Sequence, residues 1–490
     1  MYKKYLILIA VAILFITVRA QFKKMNASES QPKLRSIHHS YLQMMPTSFD
    51  PLKATDTNTQ FILNHLNDNL VKWSLEDGVQ PQLATSWKFA NNGKEIIFRL
   101  YPGATFSDGT KITSGDVANI LNRVKSTPGY YKVHFSNIEK AIALNPSEIV
   151  LKLKSADPKI LFLLASVPAL ITKMSENGKF IFSGPFDIFE RNENSLTLKK
   201  RQNYYGPQPK TEYLNFQVGD DEQARKLILS SKVDDTIVLA SPAIQRYFEN
   251  DHWISVDMWA TWAIGFDLRN KKTGNKQLRL ALGATLASKS FVDELFPAQQ
   301  YAYGLIPNGM PGNLQNHVEI SSMPTQIHTE SFELFVPNEA QNSVAIAAWI
   351  KRQSLRSNIT LQVVIKPFSE MIELLGRGIM PAFLLSFNAE YPSPYFYMNA
   401  LTSSGRSNFF GVDPKALVRE IGAIGDTQDN QEIAARMKKL NIYLIENAIV
   451  IPLMHVKHHA WFKDCVNGIK FNPISEGYFS LREVVNTCPQ

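Results

Sequence analysis

One stretch of this sequence gathers residue types that could hold a ligand: Phe387-Asn-Ala-Glu-Tyr-Pro-Ser-Pro-Tyr-Phe396, directly after the apolar run Ala382–Ser386. Its prolines end the strand and fix the backbone. Glu390 stands where strand becomes loop, a place where polar groups are commonly presented to ligands. Phe387, Asn388, Ala389 and Tyr391 flank it. Taken alone, the stretch is either a ligand site or a proline-rich surface turn with a solvated acid.

Two other groups could act beside it. Trp259 and Trp262 share the strand-like run Trp259-Ala-Thr-Trp262-Ala-Ile-Gly-Phe266. On a regular strand both are expected on one face, either as aromatic walls of a cleft or as packing between lobes. His455, His458 and His459 follow a strand, where steps of three and four do not share a face. They are expected to be ordinary polar surface residues, with no metal site. Gly-x-Ser-x-Gly, His-Glu-x-x-His, a Walker phosphate loop and Cys-x-x-Cys are all absent, and Gly376-Arg-Gly378 lacks a third glycine. No enzyme activity and no cofactor are expected.

The chain of 490 residues is long enough for two or three lobes. Its net charge of +8 is spread along the sequence. The clusters Lys3-Lys4, Lys23-Lys24 and Lys199-Lys200-Arg201 are too small for a nucleic-acid footprint. At the N-terminus, Lys3 and Lys4 precede the apolar run Tyr5–Val18, and Val18-Arg19-Ala20 supplies a cleavage pattern. Residues 1–20 are expected to be a cleaved signal peptide, since the run is shorter than the ~18–20 residues that span a bilayer. No Cys follows it, so a lipoprotein anchor is not expected. Cys465 and Cys488, the only cysteines, are expected to pair in an oxidising compartment.

The elements that must position these residues are legible in order. Asn91-Asn-Gly93 separates two strand-like runs and is expected to be a hairpin turn. Thr113-Ser-Gly-Asp116 has the spacing of a capping box, ahead of the apolar helix face Val117, Ile120, Leu121 and Val124. Phe61 to Leu70 falls near helical spacing. Strand 332–336, helix Glu339–Leu355 and strand Ile359–Ile365 form a βαβ unit, so part of a sheet should be parallel. Segments 414–422 and 430–446 are expected to be helical.

Pro81-x-Leu-Ala-x-x-Trp87, the Asn-Gly-Lys turn, Phe98-Arg-Leu-x-x-Gly103-x-x-Phe106-Ser-Asp-Gly-Thr110 and Thr113-x-x-Asp116-Val form a long ordered signature. It resembles the family 5 extracellular solute-binding proteins of ABC transporters. Ser183-Gly-Pro-Phe186, Leu278-Arg279-Leu-Ala-Leu282 and Ile449-Val-Ile-Pro-Leu453 are similar to later features of that family. Two departures stand out: Ser231 replaces a helix-ending Gly, and Asp267 stands where Asn is usual.

The resemblance implies an α/β, periplasmic-binding-protein-like bilobal fold with mixed sheets, a hinge and an additional small lobe. Lobe I would combine 34–64, 181–258 and 454–490; the small lobe would be 65–180 and the third lobe 259–453. It implies a periplasmic monomer that binds short peptides and docks on an ABC permease. Relatives carry Trp-x-x-Asp-Tyr-x-Asp-Pro at the opening stretch. There Phe387 replaces the Trp, Glu390 the Asp that holds a peptide ammonium, and Ser393 the second Asp, while Tyr391 is kept. Asn338 falls where relatives line the site. The three replacements keep open a non-peptide ligand on the same scaffold (a metal chelate, haem, an opine or a sugar), or a ligand-free interaction protein.

Overall fold

The computed structural model describes residues 36–490 apart from 55, 75, 128–133, 158–159, 239–252, 319–329, 339–342, 390–396, 398–400, 402–407, 422–428, 472–478 and 490. The signal-peptide expectation therefore lies outside the described residues.

β1 (Ile37–Leu42) is followed by the helix Thr57–Leu66, capped by Asp56, whose carboxylate accepts the Thr59 N–H. The apolar periodicity runs on to Leu70, but the helix stops at Leu66 because the next residues take partners elsewhere. The Asp68 N–H donates to Ser183 Oγ, and the Asn69 N–H to Gln82 Oε1.

The chain then builds a small lobe. β2 (Val71–Ser74) and β3 (Gly78–Pro81) form a hairpin. β4 (Ala84–Ala90), β5 (Glu95–Leu100), β6 (Ile138–Asn145) and β7 (Glu148–Leu153) form an antiparallel sheet of order β4-β5-β7-β6. The β4–β5 turn uses Asn91, Asn92 and Gly93 at φ 49°, 52° and 80°, a conformation that these residue types tolerate. The helix Ser114–Ser126 has the expected capping box, with the Asp116 N–H donating to Thr113 Oγ1 and the Thr113 N–H to the Asp116 carboxylate. It buries Val117, Leu121 and Val124 with Ile138, Ile149 and Leu151. β8 (Thr172–Met174) and β9 (Phe180–Phe182) close this lobe.

β10 (Phe186–Arg191), β11 (Ser195–Lys200) and β12 (Tyr213–Val218) return the chain to a sheet of order β1-β12-β11-β10, with β1 parallel to β12. The helix Asp221–Leu229 ends just before Ser231, which holds the left-handed conformation at φ 54° without the usual glycine.

The remaining strands form a mixed seven-stranded sheet. They are β13 (Asp235–Val238), β14 (Trp253–Phe266), β15 (Gln300–Tyr301), β16 (Glu330–Pro337), β17 (Ile359–Lys366), β18 (Ala382–Asn388) and β19 (Val450–Phe462). Their order is β13-β19-β14-β18-β16-β17, with β15 also on β19. β16 runs parallel to both β17 and β18, as the βαβ reading requires. The intervening helix is described over Ser343–Ser354, and the helices Pro414–Ile421 and Asn430–Glu446 lie within the expected spans.

β14 and β19 carry the chain between lobes. On β14, Met258 and Ala260 pack with Phe61 and Phe216 of the first lobe. Farther along the same face, Ile264 and Phe266 pack with Leu278 and Trp349 of the third. On the opposite face, Trp259 and Ala263 join the core that includes the small lobe. β14 thus contributes to three cores, and residue 259, where a lobe boundary is expected, falls inside it. Arg279 fixes the approach to β19. It donates to the carbonyls of Thr273, Asn447 and Ala448 at 2.7, 2.8 and 3.0 Å, which ties helix Lys276–Leu286 to the end of helix Asn430–Glu446. Asp267 is buried and receives Arg269 bidentately at 2.7 and 2.9 Å, so its charge has a matched partner. Cys465 and Cys488 form a disulfide with Cα atoms 4.9 Å apart.

Candidate functional site

The opening stretch emerges from the end of β18, beside the point where β14 and β19 cross between lobes. Residues paired across adjacent antiparallel strands share a face. Phe387 pairs with Thr261, Thr261 with His455, and His455 with Gln300. These four residues form one transverse row over β18, β14, β19 and β15. The row lies on the face that carries Trp259, whose ring meets Trp73 of the small lobe at 5.7 Å. The sheet therefore presents this row toward the small lobe.

Phe387 is buried and stacks on Phe410, centroids 5.7 Å apart and planes at 22°. Ala389 is fully buried, and its N–H donates to the Trp259 carbonyl at 2.8 Å, so the backbone is held up to the last described residue of the stretch. Asn388 accepts from the Ser386 hydroxyl through Oδ1 at 2.5 Å. Glu390, Tyr391 and Ser393 lie outside the described residues.

Trp259 and Trp262 do not share a face. Their spacing of three is odd, and strand alternation sends them to opposite sides. Trp262 packs edge-on against Phe296, centroids 5.5 Å apart, away from Trp73 and Trp259. Trp259 itself is mostly buried between the large sheet and the small lobe. Asn338 is exposed just beyond β16, its N–H donating to the Lys366 carbonyl. It follows Phe335 by three residues, and Phe335 pairs in parallel with Phe383, so Asn338 reaches the level of Ser386. It thus sits at the carboxyl ends of the parallel strands, the side of an α/β sheet where ligands bind.

Tyr397 was not singled out from sequence. It is fully buried, and its hydroxyl lies 3.0 Å from the Trp259 carbonyl and 3.2 Å from that of Phe387. Burial raises its phenol pKa well above the usual value, so it stays a neutral donor clamping β14 to β18. A tyrosine shortly after a proline pair was its only trace in the sequence.

The three histidines are not surface residues. His455, His458 and His459 are all buried, because β19 is covered on both edges and both faces. His455 Nδ1 lies 2.8 Å from Thr261 Oγ1, and His459 Nε2 lies 3.1 Å from the Ala298 carbonyl. Among the described residues, no group of three or more His, Cys, Asp or Glu is arranged to hold a metal.

Burial depresses the pKa of His455 to about 4, and of His458 and His65 to about 3. In the unfolded chain each titrates near 6.5. Between those values the unfolded state binds more protons, so stability rises with pH and is lost as pH falls below about 6.5. The expected slope is on the order of 1 kcal/mol per pH unit for each histidine. Urea unfolding midpoints measured from pH 7.5 down to 5 should fall steadily, and a flat midpoint across that range would contradict the buried neutral state.

The sequence model described as bacterial extracellular solute-binding proteins, family 5 Middle, matches residues 78–409. The chain is 23% identical over 484 residues to the probable D,D-dipeptide-binding periplasmic protein DdpA of Escherichia coli, covering 89% of this chain and 92% of the relative. Among solved structures, it shares its fold with the Escherichia coli murein tripeptide binding protein MppA at TM-score 0.76 and 17% identity, over 92% of this chain and 98% of that one. NikA of Brucella suis, in complex with Fe(III)-EDTA, also superposes at TM-score 0.76, with 16% identity over 92% and 99% of the two chains. The family match covers more than half of the sequence, and the shared fold extends over nearly the whole chain: this chain belongs to the bacterial extracellular solute-binding proteins of family 5.

Proposed function

We propose that the protein binds short peptides in the cleft between its lobes and delivers them to an ABC permease of the inner membrane. It works in the periplasm as a monomer, reached through a cleavable signal peptide at residues 1–20. Lobe I comprises 34–64, 181–258 and 454–490, the small lobe 65–180 and the third lobe 259–453. The observation that carries the peptide reading is the nearly full-length sequence match to a relative named as a dipeptide binder.

The geometry is compatible with that role. The row starts at Phe387 near the carboxyl end of β18 and crosses the face of the large sheet that meets the small lobe. A peptide laid there gains main-chain hydrogen bonds that do not depend on its sequence. Glu390 pairs with its ammonium group, with Tyr391 and Asn338 beside it. Closure of the lobes follows from tighter binding to the closed form. Nothing in this cycle makes or breaks a covalent bond.

Native mass spectrometry of the purified protein, followed by denaturing release of bound molecules, tests this reading. A mixed set of short peptides is expected. A single non-peptide species such as a metal chelate, or a cleft that stays empty in a peptide mixture, would overturn it.

A further inference from the structure

His455 carries a buried polar atom that the fold does not satisfy. Its side chain is almost completely buried, and among the described residues Nε2 has no hydrogen-bond partner. Orphaned buried nitrogens of this kind are uncommon in native proteins, and each calls for an explanation. The ring is fixed from the other side, where Nδ1 meets Thr261 Oγ1 at 2.8 Å.

The pairing decides which nitrogen holds the proton. Thr261 is itself fully buried, and its hydroxyl needs an acceptor for its hydrogen. If Thr261 donates to Nδ1, both of those groups are satisfied and Nε2 carries the N–H. The opposite tautomer would strand the threonine hydrogen as well as the Nε2 lone pair. The first arrangement leaves a single unmet group, a donor. Beside it, Gln300 accepts from Asn308 through Oε1 at 2.7 Å, so its amide also presents N–H groups. Both groups belong to the transverse row that faces the small lobe. Burial keeps the imidazole neutral, so the feature is a dipolar donor and not a fixed cation.

We propose that His455 is a ligand-contacting residue whose Nε2–H donates to a carbonyl or carboxylate oxygen of the bound peptide, laid across the Phe387–Thr261–His455–Gln300 row. This rests on the peptide reading above and adds a second anchor to it. Glu390 takes the ammonium, and His455 reads an oxygen farther along the same ligand. Leaving this nitrogen without a protein partner disfavours the empty state, and the ligand removes that penalty.

The test uses the full mature chain and a random mixture of short synthetic peptides, with titration of the wild type, His455→Leu and His455→Gln. The leucine variant is expected to bind about ten-fold more weakly, the effect of one buried hydrogen bond with an unpaired ligand oxygen left behind. Because that change also takes the acceptor from the buried Thr261 hydroxyl, it is paired with the double variant Thr261→Val/His455→Leu, whose ligand-free melting temperature should hold or rise, since the orphan and its partner are both replaced by apolar groups. His455→Gln still offers an N–H and should retain part of the affinity. A leucine variant that binds like the wild type would overturn the assignment. So would lost binding in the double variant accompanied by a fallen ligand-free melting temperature, which would assign His455 to the fold instead. If the wild type binds nothing in the mixture, the peptide reading itself falls and this contact falls with it. Intact wild-type binding with an indifferent variant removes only His455.

Discussion

Replacing Arg482 with methionine is expected to destabilise the protein by about 3 kcal/mol, the low end of the cost of breaking a buried ion pair. The Arg482 guanidinium meets the fully buried carboxylate of Asp68 at 2.5 Å and also donates to the carbonyls of Asn64 and Asn67. Burial opposes the Arg482 charge, but Asp68 outweighs it and keeps the guanidinium pKa above its ordinary value. Tyr205, Tyr204 and Gln82 also donate to Asp68, at 2.6, 3.0 and 2.7 Å. Those three donors soften the loss of the cation, so the low end of the range applies. The cluster joins the end of helix Thr57–Leu66, the small lobe and the C-terminal segment at one point. The double variant Asp68→Asn with Arg482→Met should recover much of the loss, because it removes the stranded charge. Urea unfolding of the single and double variants measures both quantities. A single variant within 0.5 kcal/mol of wild type, or strictly additive losses, would refute the pairing as a structural anchor.

None of this cluster could be read from the sequence. Asp68 and Arg482 are separated by 414 positions, and no local pattern joins them. What could be read was set by local chemistry. The Thr113–Asp116 box, the Asn91-Asn-Gly93 turn and the βαβ alternation each depend on neighbours a few residues away, and each recurs in the structure. The helix that stops at Leu66 marks the limit of that logic. Its apolar spacing continued to Leu70, but partners from distant segments took the backbone of Asp68 and Asn69.

The site divides along the same line. The stretch after β18 announced itself by residue type. The partners that support it did not, because Thr261, His455 and Gln300 are gathered by sheet register, and Tyr397 by hydrogen bonds to β14 and β18, not by spacing. The two tryptophans show how one step matters. An odd interval on a strand reverses the face, and with it the difference between a shared wall and two separate packing sites. The histidines show the reverse limit. A polar run after a strand looks solvated until the strand proves to be internal to the sheet.

Glu390→Ala is expected to weaken binding of free-amine peptides by about 1.5–3 kcal/mol, roughly ten- to hundred-fold in Kd. The described backbone leads to this position under restraint: Ala389 is buried and bonded to Trp259, and Phe387 is stacked on Phe410. An ion pair inside a closed cleft is screened less than one in water. The charge can be removed from either side. N-terminal acetylation of the peptide should cost the wild type a similar factor, and should cost the variant little further. That non-additivity separates an ammonium contact from a structural carboxylate, which would lower affinity for both ligands alike. Glu is one methylene longer than Asp, so Glu390→Asp should also weaken binding, though less than alanine. Equal affinity of wild type and Glu390→Ala for free-amine peptides would remove the carboxylate from the site and leave the His455 row as the better-supported contact.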